Sequence, residues 1–344
     1  MAIAPSALRF PAAYVLSDAY PVPVESLLSH FNVTLPTGWR NNPEALIDGD
    51  QFSALLNVLS AFIKRGGPQA QARVLKFFPL TIHGYVGLAA MTASTLQQAM
   101  DIGVRYFHHV MPAFDTSYTI EGQTCLFAAD PISDFGTHNA LLAEITMCAV
   151  NSVLPFLDLG YNDLTVTFQH DTLEMTEFAS FYPGVTVKMG CAQNMMIFPK
   201  SALATPLRTG NATTFRMMES ELARREQLLA TQQTLVYRVF MTIKEHLARG
   251  DKVDAQSIAE GLHVSLRTFN RRLNDEGTNF KTIHDQSRLG LAEHLLAHTN
   301  KAMVGISSEL GFANESSFSR YIKDKTGLSP SQYRKSARGR LNRL

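Results

Sequence analysis

The stretch SIAEGLHVSLRTFNRRLNDEG, residues 257–277, returns in outline as GISSELGFANESSFSRYIKDKTG, residues 305–327. Each copy has an apolar residue, a Leu four positions on, a short break, a helix with an inward Phe and an outward Arg, and a closing Gly. In the first copy Asp254 is placed to cap a helix through Leu262, and Ser265 to cap a second that begins at Leu266. Ile258, Ala259 and Leu262 are the expected inward positions of the first helix; Phe269 and Leu273, four apart, are those of the second. This is a helix-turn-helix pattern. In the second copy Ile306 and Leu310 face in, Gly311 supplies the turn, and Asn314 caps a helix that buries Phe318 and Ile322.

The side chains left outward have a chemistry in common. In the first unit they are Arg267, Thr268, Asn270 and Arg271, with Arg272 beside them; in the second, Glu315, Ser316, Ser319 and Arg320. In a major groove Arg can bond guanine bidentately and Asn adenine, while Arg on phosphate positions without specifying. The segment FKTIHDQSRLGLAEHLLAHT (280–299) reads as one long helix with Ile283, Leu291 and Leu295 inward, able to hold the two units at a fixed separation. Two recognition helices on one frame suit successive major grooves, one helical turn apart. Charge agrees. Residues 231–344 hold 18 Lys and Arg against 11 Asp and Glu, whereas residues 1–230 hold 13 against 19, within a chain of net charge +1. The basic part is the one with the repeat, as a polyanionic partner requires.

At these residues the chain resembles the AraC/XylS family of transcription regulators. GFANESSFSRYIKDKTGLSPSQYRK looks like that family's signature, and VSLRTFNRRLNDEGTNF like its first recognition helix. HGYVGLAAMTASTLQQAMDIGVRYF (83–107) is similar to the arabinose-binding-type N-terminal domain of regulators of the OruR/VirS kind. The resemblance implies base contacts from Arg267, Asn270 and Arg271 in the first unit and from Glu315, Ser316, Ser319 and Arg320 in the second. It also implies an effector-sensing or dimerising front domain, a homodimer, and contact with RNA polymerase. Two positions depart from the family's pattern: His263 stands where the first turn usually has Gly, and Ser307 where Ala is usual.

The front part reads as α+β, with a small antiparallel sheet and helices, and the rest as all-α with two helix-turn-helix units joined by a long helix. We expect a sensing or dimerisation domain over 1–204, a linker and connecting helix over 205–233, and a DNA-binding domain over 234–338. Helical periodicity marks 52–65, broken by GGP at 66–68, and a helix capped at Ser94 or Thr95 with Leu96, Met100, Val104 and Phe107 inward. SYTIEGQTCLFAA (117–129) reads as two strands about a Gly-Gln turn, and HNALLAEITMCAVNSVLPFL (138–157) as a long helix. LTVTFQH (164–170) and VTVKMGC (185–191) alternate with period two and read as antiparallel strands on either side of FYPG.

The front part carries less chemistry. Tyr85, Tyr106, Phe168 and Met196 are candidates for an apolar effector pocket, among a wider aromatic and Met set that includes Phe77, Phe78, Phe178, Phe181 and Tyr182. The adjacent His108 and His109 point about 100° apart on a helix, so they do not chelate together. No metal and no cofactor are expected, and no phosphate loop or hydrolase motif suggests an enzyme. The three widely spaced cysteines fit buried thiols in a reducing, cytoplasmic setting. The N-terminus does not read as a signal peptide, and no long apolar run suggests a membrane span. Two readings remain: a regulator that responds to a small molecule, and one whose front domain only dimerises or docks a partner protein.

Overall fold

The computed structural model describes residues 3–12, 42, 45–76, 80–157, 163–171 and 184–341. They form two compact units. One is Leu8–Gln232, the other Gln233–Leu344 together with Met1–Ala7. The aromatic candidates Phe77, Phe78, Phe178, Phe181 and Tyr182 lie outside the described residues.

The first unit opens with a two-stranded sheet, β1 (Arg9–Pro11) antiparallel to β2 (Leu46–Asp48) with Phe10 opposite Ile47. Asp48 then starts α1 (Gly49–Lys76) through a reciprocal cap. Gln51 N donates to Asp48 Oδ1 at 2.8 Å, and Asp48 N to Gln51 Oε1 at 2.9 Å. The GGP break is present: Gly67 has φ 60° and ψ −154°, outside the helical range, and a further helical stretch runs on to Lys76. Phe10 stacks on Phe52 at 3.9 Å, and Phe135 meets both rings edge-on at 6.0 Å. This cluster fastens β1 and α1 to the segment before α4.

Helices α2 (Gly84–Thr92) and α3 (Leu96–Tyr106) follow. Thr95, not Ser94, caps α3, accepting from Gln98 N at 3.3 Å. Leu96, Met100 and Phe107 are buried as expected and Val104 is half-buried. Gly87 has no room for a side chain, since a Cβ there would lie 1.6 Å from the carbonyl oxygen of Leu80. That close approach lets the turn Leu80–His83 fold against α2.

A five-stranded sheet forms the other layer, in the order β3 (Phe114–Glu121), β4 (Thr124–Pro131), β7 (Met195–Pro199), β5 (Thr165–Thr167) and β6 (Thr186–Lys188). Strands β3 (Phe114–Glu121) and β4 (Thr124–Pro131) make the expected hairpin, with Gly122 at φ +60° in its two-residue turn. The helix expected over 138–157 is α4 (Asn139–Asn151); it stops short, and a tight turn at Leu154–Phe156 carries Pro155, which cannot continue a helix. Strands β5 (Thr165–Thr167) and β6 (Thr186–Lys188) correct one expectation: they pair parallel, Thr165 opposite Thr186. The connection between them is long enough for the crossover that parallel neighbours need. The antiparallel partner of β5 is instead β7 (Met195–Pro199), which the sequence reading missed and which lies between β4 and β5.

Residues 205–232, expected as linker and connecting helix, pack within the first unit. Leu96 N donates to Thr205 O at 3.0 Å, Leu207 N to Ser94 O at 3.2 Å and Asn211 N to Thr92 O at 2.9 Å. Helix α5 (Ala212–Gln232) then lies along α2. Arg225 stacks on Tyr85 at 4.4 Å and is held from the other side by Glu221.

The second unit is helical throughout: α6 (Leu235–Ala248), α7 (Ala255–Gly261), α8 (Leu266–Asp275), α9 (Phe280–His298), α10 (Met303–Glu309), α11 (Glu315–Thr326) and α12 (Pro330–Leu341). Thr234 caps α6, accepting from Tyr237 N at 3.2 Å while donating to Ala7 O at 2.5 Å, which ties the first residues of the chain to this unit. Among the described residues no helix is long and apolar enough to cross a membrane.

Candidate nucleic-acid interface and effector cavity

Helices α7 and α8 are the first helix-turn-helix. Asp254 Oδ1 accepts from Ser257 N at 2.9 Å, and Ser265 Oγ from Thr268 N at 3.2 Å, so both helices start where the caps place them. Ile258, Ala259, Phe269 and Leu273 are buried between them, and Leu262 is half-buried. The other face of α8 is open: Arg267, Asn270, Arg271 and Arg272 are exposed, with Ser265 exposed at its N-terminus and Thr268 half-buried. None of the three arginines is held by a salt bridge among the described residues. Their guanidinium groups are therefore available to an anionic partner.

Helices α10 and α11 repeat the arrangement. Asn314 Oδ1 accepts from Ser317 N at 2.8 Å. Ile306, Leu310, Phe318 and Ile322 are buried; Asn314, Glu315, Ser316 and Arg320 are exposed and Ser319 is half-buried. Gly311 takes φ +70° in the turn, and His263 takes φ +55° at the equivalent place in the first helix-turn-helix. A left-handed conformation costs a side chain about 1–2 kcal/mol, part of which Gly returns through its unfolded-state entropy. His263→Gly is therefore expected to stabilise the second unit by about 0.5–1 kcal/mol, read by chemical denaturation of the full chain. At the other departure, Ser307 is 2% exposed and its hydroxyl has no hydrogen-bond partner. Ser307→Ala removes that uncompensated group and is expected to raise stability by about 1 kcal/mol in the same assay.

Helix α9 holds the two helix-turn-helix motifs together. Asn279 caps it, accepting from Thr282 N at 3.0 Å, and Phe280 meets Phe269 of the first motif at 6.3 Å. On the second motif's side Arg288 lies over Phe312 at 4.9 Å, Phe312 packs edge-on to Phe318 at 5.5 Å, and Tyr321 Oη donates to Asp285 O at 2.9 Å. The sequence reading did not single out Arg288, Phe312 or Tyr321. The signal was present in an aromatic two places before Asn314 and an Arg one helical turn after His284, but only their meeting in space gives it meaning.

The first unit contains a cavity of about 330 Å³ lined mainly by carbon, from Leu96 and Met100 of α3 across Phe127 of β4 to Met196 and Phe198 of β7. Of the four expected pocket residues only Met196 lines it. Tyr106 and Phe168 are fully buried core, and Tyr85 is taken up by Arg225. Cys125 and Cys148 are buried, which pushes the Cys125 thiol up to about 11 and raises that of Cys148 well above its ordinary value, while Cys191 is half-buried. Burial also pushes the imidazole of His83 down to about 4.

Two capped helix-turn-helix units on one long helix, with open polar faces, define a DNA-binding regulator. Residues 258–336 match the family described as a helix-turn-helix domain, and residues 26–207 match the arabinose-binding domain of AraC transcription regulators, N-terminal. The second match alone spans more than half of the chain, and the chain belongs to the AraC family of transcription regulators. It is 28% identical to the ornithine utilization regulator of Pseudomonas aeruginosa over 262 residues, 74% of this chain and 75% of that one. It is 24% identical to the regulator VirS of Mycobacterium tuberculosis over 304 residues, 87% of this chain and 88% of that one. The crystal structure of the transcriptional regulator CdpR from Pseudomonas aeruginosa aligns over 90% of this chain and 96% of that chain, at 19% identity and a TM-score of 0.43. These relatives are regulators of transcription and not enzymes.

Proposed function

We propose that the chain binds promoter DNA as a homodimer, with α8 and α11 of each copy in successive major grooves, and that a small molecule in the first unit modulates that binding. The observation that carries the DNA reading is the pair of capped helices whose exposed faces are α9-mounted and polar. In the first helix-turn-helix Arg267, Asn270 and Arg271 read base edges, while Ser265, Thr268 and Arg272 bind phosphate. In the second, Glu315, Ser316, Ser319 and Arg320 face the bases, with Asn314 at the helix N-terminus beside phosphate. Contact with RNA polymerase belongs to the same reading through the family.

The cavity supports an effector. Met217 and Leu228 on α5 support the dimer: they are 61% and 45% exposed, and eleven residues apart, three helical turns along one stripe. That stripe also suits a second reading, in which the first unit only dimerises or docks a partner.

The test uses duplexes selected from a random pool by the full-length protein. Arg271→Ala is expected to bind the selected site about 5- to 150-fold more weakly, a loss of about 1–3 kcal/mol, and to relax base preference at one position. A variant that keeps the wild-type ratio between selected and scrambled duplex removes Arg271 from the base readers.

A further inference from the structure

We infer that the cavity of the first unit is built for a small amphiphile with an apolar body and an amine head, and not for a sugar. This rests on the effector-responsive reading above and narrows it. The walls of the 330 Å³ cavity sort by exposure. Leu96, Met100, Phe127, Val153, Met196 and Phe198 are all buried and offer only carbon and sulfur. The three polar wall residues are its more solvent-open ones: Asp163 and Ser201 are exposed and Thr205 is half-buried. A pentose carries hydroxyls around its whole ring, and most of them would be pressed against carbon with no partner to replace water. A ligand with a hydrocarbon body and one polar end matches the division.

The charge of the rim selects the head. Among the described residues Asp163 is the only ionisable group of the wall. A carboxylate there attracts an ammonium and repels a carboxylate head. An ammonium has three N–H donors and no acceptor, so the carboxylate and the two hydroxyls of Ser201 and Thr205 meet its needs. Lys200 precedes Ser201 in the chain but is not part of the wall. The apolar end has room to extend. A separate, smaller cavity of about 60 Å³, lined mostly by carbon with His83 and Thr116, shares the walls Met100, Phe127, Val150 and Val153 with the first, and Met100 is unbranched and adaptable.

The experiment is calorimetric titration of the full-length protein, in amine-free buffer, with hexylamine, 1-hexanol, hexanoate and L-arabinose, and then with the series from butylamine to octylamine. Hexylamine is expected to bind at least tenfold more tightly than hexanoate or arabinose. Affinity is expected to rise about fourfold per added methylene until the cavity is full. Asp163→Asn, at an exposed position, should bring hexylamine down to the level of hexanol. Ala202→Phe, which fills the cavity, should abolish binding of every probe. Arabinose or hexanoate binding as well as hexylamine, indifference to Asp163→Asn, or no binding by any alkylamine each overturns the proposal. Measuring DNA affinity with each probe separates the two readings. An alkylamine that binds without changing DNA affinity refutes effector control and leaves the ligand class standing. Arabinose that binds and changes DNA affinity does the reverse.

Discussion

Phe318→Ala is expected to destabilise the second helix-turn-helix by about 3–5 kcal/mol, a large share of what a domain has to lose. The ring is fully buried, as are Ile306, Leu310 and Ile322 around it, and it meets Phe312 edge-on at 5.5 Å. Helix α10 has seven residues and α11 twelve, too short to persist in water without such packing. Hydrogen exchange on the full-length variant should therefore show loss of protection across α10 and α11. Helices α7 and α8, packed around Phe269, should keep theirs. Affinity for a selected duplex should fall toward that of the first helix-turn-helix alone, with the footprint shortened on one side. Phe318→Leu keeps an apolar body and should cost less than half as much. Unchanged protection of α11 in Phe318→Ala would mean that the hub is elsewhere, in the stack of Arg288 on Phe312.

The helical repeat was legible because each of its signals is local. A cap, an apolar residue and a second one four places on all lie within one turn or two, and Asp254, Ser265 and Asn314 cap where they were expected to. The β3–β4 hairpin was legible for the same reason, since Gly122 announces its own turn. What was missed depends on distant partners. β7, MMIFP, has no polar alternation because both of its faces are covered, every residue being buried or half-buried, so its sequence does not separate it from any short apolar run. The parallel pairing of β5 and β6 is set by where the connection runs, not by either strand's own residues.

The cavity shows the same limit more sharply. Tyr106, Phe168 and Met196 look alike in a sequence: large, apolar and in periodic segments. Only the assembled sheet and α3 decide that Met196 faces open space while Tyr106 and Phe168 fill the core. Tyr85 was available as a candidate until α5 brought Arg225 onto its ring. Glu144 gave no warning either, as a carboxylate in an apolar helix that is 2% exposed and faces His170 Nε2 at 3.3 Å.

The buried imidazole of His83 leads to the second large effect, a loss of stability of the first unit in acid. Burial alone holds its pKa at about 4, against about 6.5 in the unfolded chain. The folded state therefore binds the proton less well than the unfolded state. Stability from this group is fully present above pH 6.5, falls as the pH drops from 6.5 toward 4, and is lost entirely below that. The difference corresponds to about 3 kcal/mol over the window. His109, His138 and His170 are also lowered by burial and act in the same direction, so the wild-type loss exceeds what His83 contributes. The variant isolates it. His83→Leu keeps a neutral side chain against Phe107 and cannot take up a proton. Thermal or urea melts of the unit Leu8–Gln232 within the full chain, at pH 7 and at pH 4, should show a drop about 3 kcal/mol smaller in the variant than in wild type. An equal drop in both would mean that the His83 side chain becomes hydrated before the unit unfolds, and that the turn Leu80–His83 opens as a local event.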